Sequence, residues 1–138
     1  MSMEHESVPV WRPGAAATAG AIAALVAAYP ELPAPYVSYV EIDDGAEGDL
    51  GVEPGWIQLW PVAEVGQLNP RYEVATNLPG FLGFGTSGGG ELLAFDTRTE
   101  PWRVCMVPFI PMNESEAVEI APDFAKLASQ FGRLLLPT

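Results

Sequence analysis

The sequence predicts an α+β domain: an antiparallel β-sheet of several strands packed with helices from both ends of the chain. An alanine-rich stretch near the start carries larger apolar residues at helical spacing, and a second apolar stripe of that spacing closes the chain. Between them lie short apolar runs separated by Gly- and Pro-containing turns. Short runs with tight turns favour antiparallel pairing, because a parallel crossover needs a dozen residues or more.

Taken in order, residues 1–14 read as an irregular lead punctuated by Pro9, Pro13 and Gly14, with Trp11 as its anchor. Residues 15–29 read as a helix, with Ile22, Leu25, Val26 and Tyr29 on one face and Pro30 as its stop. A second helix is predicted over 34–42. Pro35 sits near its start, Tyr36, Val37, Tyr39 and Val40 form its apolar face, and Gly45 ends it. Residues 43–55, rich in Gly and acids, read as a loop.

Trp56–Trp60 alternates as a strand does, and Pro61 closes it. Residues 62–69 read as a short helical turn before Pro70. Phe81–Phe84 and Leu92–Phe95 read as the two arms of a hairpin with a glycine-rich tip. A further strand is predicted at Val104–Val107, between Pro101 and Pro108. From Pro122 onward the chain reads as a helix whose stripe takes in Ile120, Phe124, Leu127, Ala128, Phe131 and Leu135, with Asp123 at its positive end. No repeat or linker divides the chain, so residues 15–138 are expected to form a single domain after the 1–14 lead.

The 138 residues are 49% hydrophobic, enough for one core and too apolar for a disordered chain. No apolar run is as long as a membrane span. Acids stand at the N-terminus where a secretory signal needs positive charge, and Cys105 is the only cysteine. Both point to a cytoplasmic protein. Eighteen acids against six Lys plus Arg give a formal net charge of −12. Such a field repels nucleic acid and anionic membrane and attracts basic partners.

The run Gly83-x-Gly85-x-x-Gly88 matches the dinucleotide-binding pattern by letter. That chemistry needs a helix after the glycines, to hold a pyrophosphate at its N-terminus. Here Gly89, Gly90 and another strand-like run follow, so the glycines read as turn residues. One Cys and one His, the latter (His5) in the lead, do not make a classical zinc site or a Ser–His or Cys–His centre. Asp43, Asp44, Glu47 and Asp49 do not keep the ligand register of a calcium-binding EF-hand. Glu91 and Asp96 are five apart on one strand and face opposite sides of its pleat, which argues against a catalytic pair. Asp96-Thr97-Arg98-Thr99 reads as a turn in which Asp accepts backbone hydrogen bonds. Trp56, Trp60 and Trp102 read as packing residues rather than a ligand-stacking platform, with Trp56 and Trp60 on one strand face.

Four pieces of the chain are similar to a known family. They are Leu32-Pro33-Ala34-Pro35-Tyr36-Val37-Ser38-Tyr39-Val40 with Asp44-Gly45; Ile57-Gln58-Leu59-Trp60-Pro61 with Glu64; Gly83 through Asp96; and Ile120-Ala121-Pro122-Asp123-Phe124 with the helix beyond. In this order and spacing, over about residues 30–134, they resemble the SUKH superfamily, which includes yeast cell-wall-synthesis regulators and bacterial immunity proteins of polymorphic toxin systems. The chain departs from that pattern at Ser87, where the family usually has Asp or Asn, and in its triple-glycine tip. The resemblance implies an α+β domain with no catalysis and no cofactor. It implies a protein-binding role, the neutralisation of a toxin domain, many such toxins being nucleases.

An acidic chain suits a basic toxin surface. The residues expected to meet it are Asp43, Asp44, Glu47, Asp49 and Glu53, clustered on a predicted exposed loop beside a sheet edge. The alternatives are a regulatory scaffold of the same fold without a toxin partner, and a small-ligand binder using a sheet face with Trp60, Trp102 and Glu91. A monomer or a weak homodimer is expected, the latter through pairing of edge strands.

Overall fold

The computed structural model describes residues 8–136. Its centre is one seven-stranded sheet in which each strand pairs antiparallel with the next in sequence. The strands are β1 (Trp11–Arg12), β2 (Glu47–Asp49), β3 (Trp56–Leu59), β4 (Phe81–Thr86), β5 (Glu91–Asp96), β6 (Arg103–Pro108) and β7 (Val118–Ala121). The helices are α1 (Ala19–Ala28), α2 (Ala34–Val40), α3 (Val62–Arg71), α4 (Val74–Asn77) and α5 (Phe124–Ala128). The expected α+β class with one antiparallel sheet is what the chain forms.

Cross-strand partners face the same side of a sheet, so the register assigns the core. Leu82 opposes Phe95, and Phe95 opposes Val104. On this face Phe84 and Phe95 stack, with Tyr36 from α2 and Phe124 from α5 edge-on or tilted against them at 5.4–6.2 Å between centroids. Edge-to-face and offset packing of this kind places ring edges against ring faces, which suits their quadrupoles. The other face carries Leu92, Ala94 and Val107, all fully buried. Trp60 packs there too: a Cβ on Gly83 would meet Leu92 Cδ1 at 2.9 Å and the Trp60 ring at 3.2 Å. Helices α3 and α4 pack along β4, and α1 lies on α3 with Leu25 as its buried residue.

The central hairpin is as expected, with β4 two residues longer at its end and β5 one residue longer at each end, and Ser87–Gly90 at its tip. Its glycines have other reasons than the turn alone. Only Gly88 of the three in the pattern has a positive φ. Gly85 is needed for close approach, since a Cβ there would lie 2.7 Å from the Gln58 carbonyl oxygen across the β3–β4 pair. No helix follows the glycines, so the nucleotide geometry is absent at this position.

Several expectations are corrected. Of the 1–14 lead, the described part is not wholly irregular: Trp11 and Arg12 pair with Gly48 and Glu47 as an edge strand. The predicted 43–55 loop contains β2. The first helix starts later than residue 15, at Ala19, because the Thr18 hydroxyl accepts the Ala21 N–H and caps it there.

The turn at 62–69 is a ten-residue helix that includes Pro70. Pro70 has no N–H for the Gly66 carbonyl and crowds it, and the helix ends one residue later, at Arg71. On β3 the core residues are Ile57 and Leu59, while Trp56 is half-buried on the opposite side with the Arg12 guanidinium above it at 5.9 Å.

The C-terminal helix is only five residues long. Ile120 belongs to β7, and Asp123 caps α5 by accepting the Lys126 N–H at 2.8 Å. Gly132, at φ 73°, turns the chain after Phe131 pairs with Leu50, so Leu135 lies exposed rather than on a buried stripe.

Candidate functional site

The acidic segment expected to meet a partner runs from the end of α2 to the start of β3, along the β1 edge of the sheet. The structure gives four of its five acids work inside the molecule. Asp44 Oδ1 accepts the Val62 N–H at 2.8 Å. That N–H is one of the free donors at the start of α3, whose own cap residue is Pro61 with no side chain to offer. Asp44 therefore caps α3 from eighteen residues upstream. Burial raises its pKa, the Val62 bond opposes the shift, and the nearby Glu64 charge adds to it.

Glu47 pairs with Arg12 at 2.9 Å across β1–β2, and Asp49 Oδ2 accepts the Val10 N–H at 2.7 Å. These two contacts tie the N-terminal edge strand to the sheet. The Tyr39 hydroxyl donates to Asp43 at 3.4 Å, and burial, followed by the Asp43 charge, raises the tyrosine pKa. Glu53 alone of the five is exposed, in the turn before β3. The carboxylates thus lie along one edge but do not converge on a point.

The set Trp60, Trp102 and Glu91 does not converge either. Trp102 packs on Phe95 at 5.7 Å, on the face lined by Phe84 and Tyr36. Trp60 stacks on Tyr72 at 5.9 Å and belongs to the opposite face, with Leu92. Both indoles are buried. Glu91 accepts the Ser87 hydroxyl at 2.7 Å and serves the hairpin tip.

The most polar buried group is one the sequence placed in a turn without marking its neighbours. Asp96 is 1% exposed and opposes Arg103 across β5–β6. One carboxylate oxygen accepts the Arg98 N–H at 3.0 Å and its Nε–H at 2.8 Å. The other accepts from Arg98 Nη2 at 3.1 Å and Arg103 Nε at 2.9 Å. The expected backbone bond in this turn is present. The arginine hydrogen bonds, Arg98 foremost, hold the Asp96 pKa down to about 2 against the opposing effect of burial. Arg98 reaches on to Glu114 and lies over the Phe81 ring, and Arg103 reaches Glu119. Every oxygen lone-pair direction is occupied, so the cluster reads as a structural clasp between β5, β6 and the loop before β7.

Cys105 is buried, and burial raises its thiol pKa, which lowers the fraction present as a nucleophilic thiolate. Among the described residues, no three His, Cys, Asp or Glu side chains are grouped so as to hold a metal ion. His5 lies outside the described residues. No helix among the described residues is long and apolar enough to cross a membrane.

Sequence reasoning passed over Glu31 and Glu100, which line one groove with Trp102. They are 69 positions apart with no shared motif, so only the fold brings them together. No family model matches this chain, and no curated protein matches it.

Proposed function

We propose that this chain is a non-catalytic protein-binding domain, an immunity protein that neutralises a bacterial toxin by covering its basic surface. The observation that carries the reading is the charge. Eighteen acids face six Lys plus Arg, and Arg12, Arg98 and Arg103 among those six are already paired within the molecule. Most of the negative field therefore points outward without compensation. A toxin that acts on nucleic acid needs cationic groups where it meets phosphate. An acidic domain competes for those groups, approaches them under electrostatic steering, and blocks access sterically. The resemblance of residues 30–134 to the SUKH superfamily supports the same reading.

The test is recovery of partners from lysate of the source cells with the tagged protein, at about 50 mM and at about 500 mM salt, conditions that change the screening length severalfold. The expected result is a basic, toxin-like protein bound at low salt and weakened at high salt. Reversing Asp43 and Glu53 to Lys, which leaves the Arg12–Glu47 and Val10–Asp49 contacts in place, is expected to cut that recovery further if this edge is the contact. Recovery that ignores both salt and these reversals removes electrostatic occlusion as the mechanism.

A further inference from the structure

A groove runs where the link from α1 to α2 meets the turn between β5 and β6. One wall is Pro30, Glu31, Leu32, Pro33 and Pro35; the other is Thr97, Glu100, Pro101 and Trp102. It consists of two adjacent hollows of about 370 and 260 Å³ that share Glu31 and Trp102 in their walls. The larger alone falls within the range of roughly 300–1,000 Å³ usual for ligand pockets. Four prolines line it, and their fixed φ keeps the walls in place without side-chain reordering.

The chemistry of the lining has one sign. Glu31 and Glu100 are both exposed, and among the described residues no Lys, Arg or His lines either hollow. Among the described residues, neither carboxylate has a cation within 4.0 Å. Arg98, next to Thr97, does not line the groove; Asp96, Glu114 and the Phe81 ring hold it. The apolar walls and the two unpaired carboxylates complement one kind of side chain, a long apolar stem with a cationic head. Arginine fits better than lysine, because its planar fork offers five N–H donors and binds a carboxylate through two of them.

We infer that this groove receives an arginine side chain from a protein partner, its stem against the proline rings and its guanidinium held by Glu31 and Glu100. The inference rests on the proposed reading of a basic protein partner and names where that partner's cation enters.

The test needs no toxin. The ¹⁵N-labelled full chain is titrated with Nα-acetyl-arginine amide, with Nα-acetyl-citrulline amide as the uncharged isostere. The expected result is a saturable shift of the Trp102 indole N–H and of the Glu31, Leu32 and Glu100 amides with the arginine probe only. In E31Q/E100Q the apparent affinity falls at least fivefold, while E41Q/E64Q, which neutralises two acids elsewhere on the surface, leaves it unchanged. Shifts spread over all exposed acids without saturation, or a response that E31Q/E100Q does not alter, overturn the site. The two readings fail separately. A partner recovered from lysate equally well by E31Q/E100Q removes the groove and keeps the function. A saturable groove response with no basic partner recovered keeps the groove and removes the toxin reading.

Discussion

Asn69 does for β4 what a neighbouring strand would. The β3–β4 pair has its last partners at Leu59 and Gly85, and beyond them the chain leaves the sheet to enter α3. The Asn69 side chain accepts the Gly83 N–H at 2.7 Å and donates to the Gly83 carbonyl at 2.9 Å, and also to Val65 at 2.8 Å. These bonds sit where β4 bulges between Gly83 and Gly85. Asn69→Ala leaves two buried backbone groups unpaired, at about 1–3 kcal/mol each before relaxation. A loss of about 2–4 kcal/mol in urea unfolding is expected on that basis. Asn69→Asp keeps the bond from the Gly83 N–H but sets a buried carboxylate against the Gly83 and Val65 carbonyls, and is expected to cost at least as much at neutral pH.

Tyr36 presents the opposite case. Its ring is 1% exposed, and its hydroxyl is buried with no hydrogen-bond partner among the described residues. Removing an unpaired polar atom from an apolar site costs nothing in lost bonds, so Tyr36→Phe is expected to be neutral or stabilising by about 1 kcal/mol. A clear loss of stability would show that the hydroxyl has a partner, such as a bound water. Asp96 adds a pH dependence of known sign. Its folded pKa is depressed to about 2, so its contribution is complete above the unfolded value near 4 and disappears as pH falls through 2. The difference is worth about 2 kcal/mol. Unfolding free energy measured from pH 5 to pH 2 is expected to fall by that amount beyond the response of Asp96→Asn.

The elements divide by how much apolar pattern each one carries. The β4–β5 hairpin is legible in the sequence because Phe81-Leu82, Phe84, Leu92-Leu93 and Phe95 flank an unmistakable turn. Helices α1 and α2 are legible from their spacing and their prolines. β2 is not, because Glu47-Gly48-Asp49 has no apolar side chain, and only pairing on both sides makes it a strand. β1 has two residues and β7 four, too few for an alternation to stand out. Ile120, drawn into a helical stripe by its distance from Phe124, illustrates the same failure.

The acids of 43–53 stand out as a cluster in the sequence, but their partners lie 4 to 39 positions away, at a range that composition does not reveal. Asp44 makes the point testable. Asp44→Ala removes the cap of α3 and is expected to cost about 1 kcal/mol, as N-cap losses do, while Asp44→Asn retains an acceptor and costs less. Equal losses for the two would show that the carboxylate charge matters here and not the hydrogen bond to Val62.

At the scale of the whole molecule, two electrostatic effects oppose each other when salt is added. Screening weakens the ion pairs of Arg12, Arg98 and Arg103, and it also relieves repulsion among the uncompensated acids. The pairs Arg12–Glu47 and Arg98–Glu114 are largely exposed and worth under about 1 kcal/mol each. The bonds to Asp96 are shielded from solvent and respond little, because buried pairs are screened much less than exposed ones. Repulsion, by contrast, is distributed over a net charge of −12 on 138 residues, and it acts over distances comparable with the screening length of about 10 Å at 0.1 M. Relief of this repulsion outweighs the weakening of the exposed pairs, so salt is expected to stabilise the fold. A gain of about 1 kcal/mol between 20 and 300 mM sodium chloride corresponds to roughly 3–5 °C in the thermal midpoint of a domain this size. Neutralising exposed acids away from the ion pairs, as in E41Q/E64Q, is expected to raise the low-salt midpoint and to flatten its salt dependence. A midpoint that falls with salt would mean that the ion pairs outweigh the repulsion. The outward field would then be too well compensated to steer a basic partner, and the case for electrostatic occlusion would fall with it.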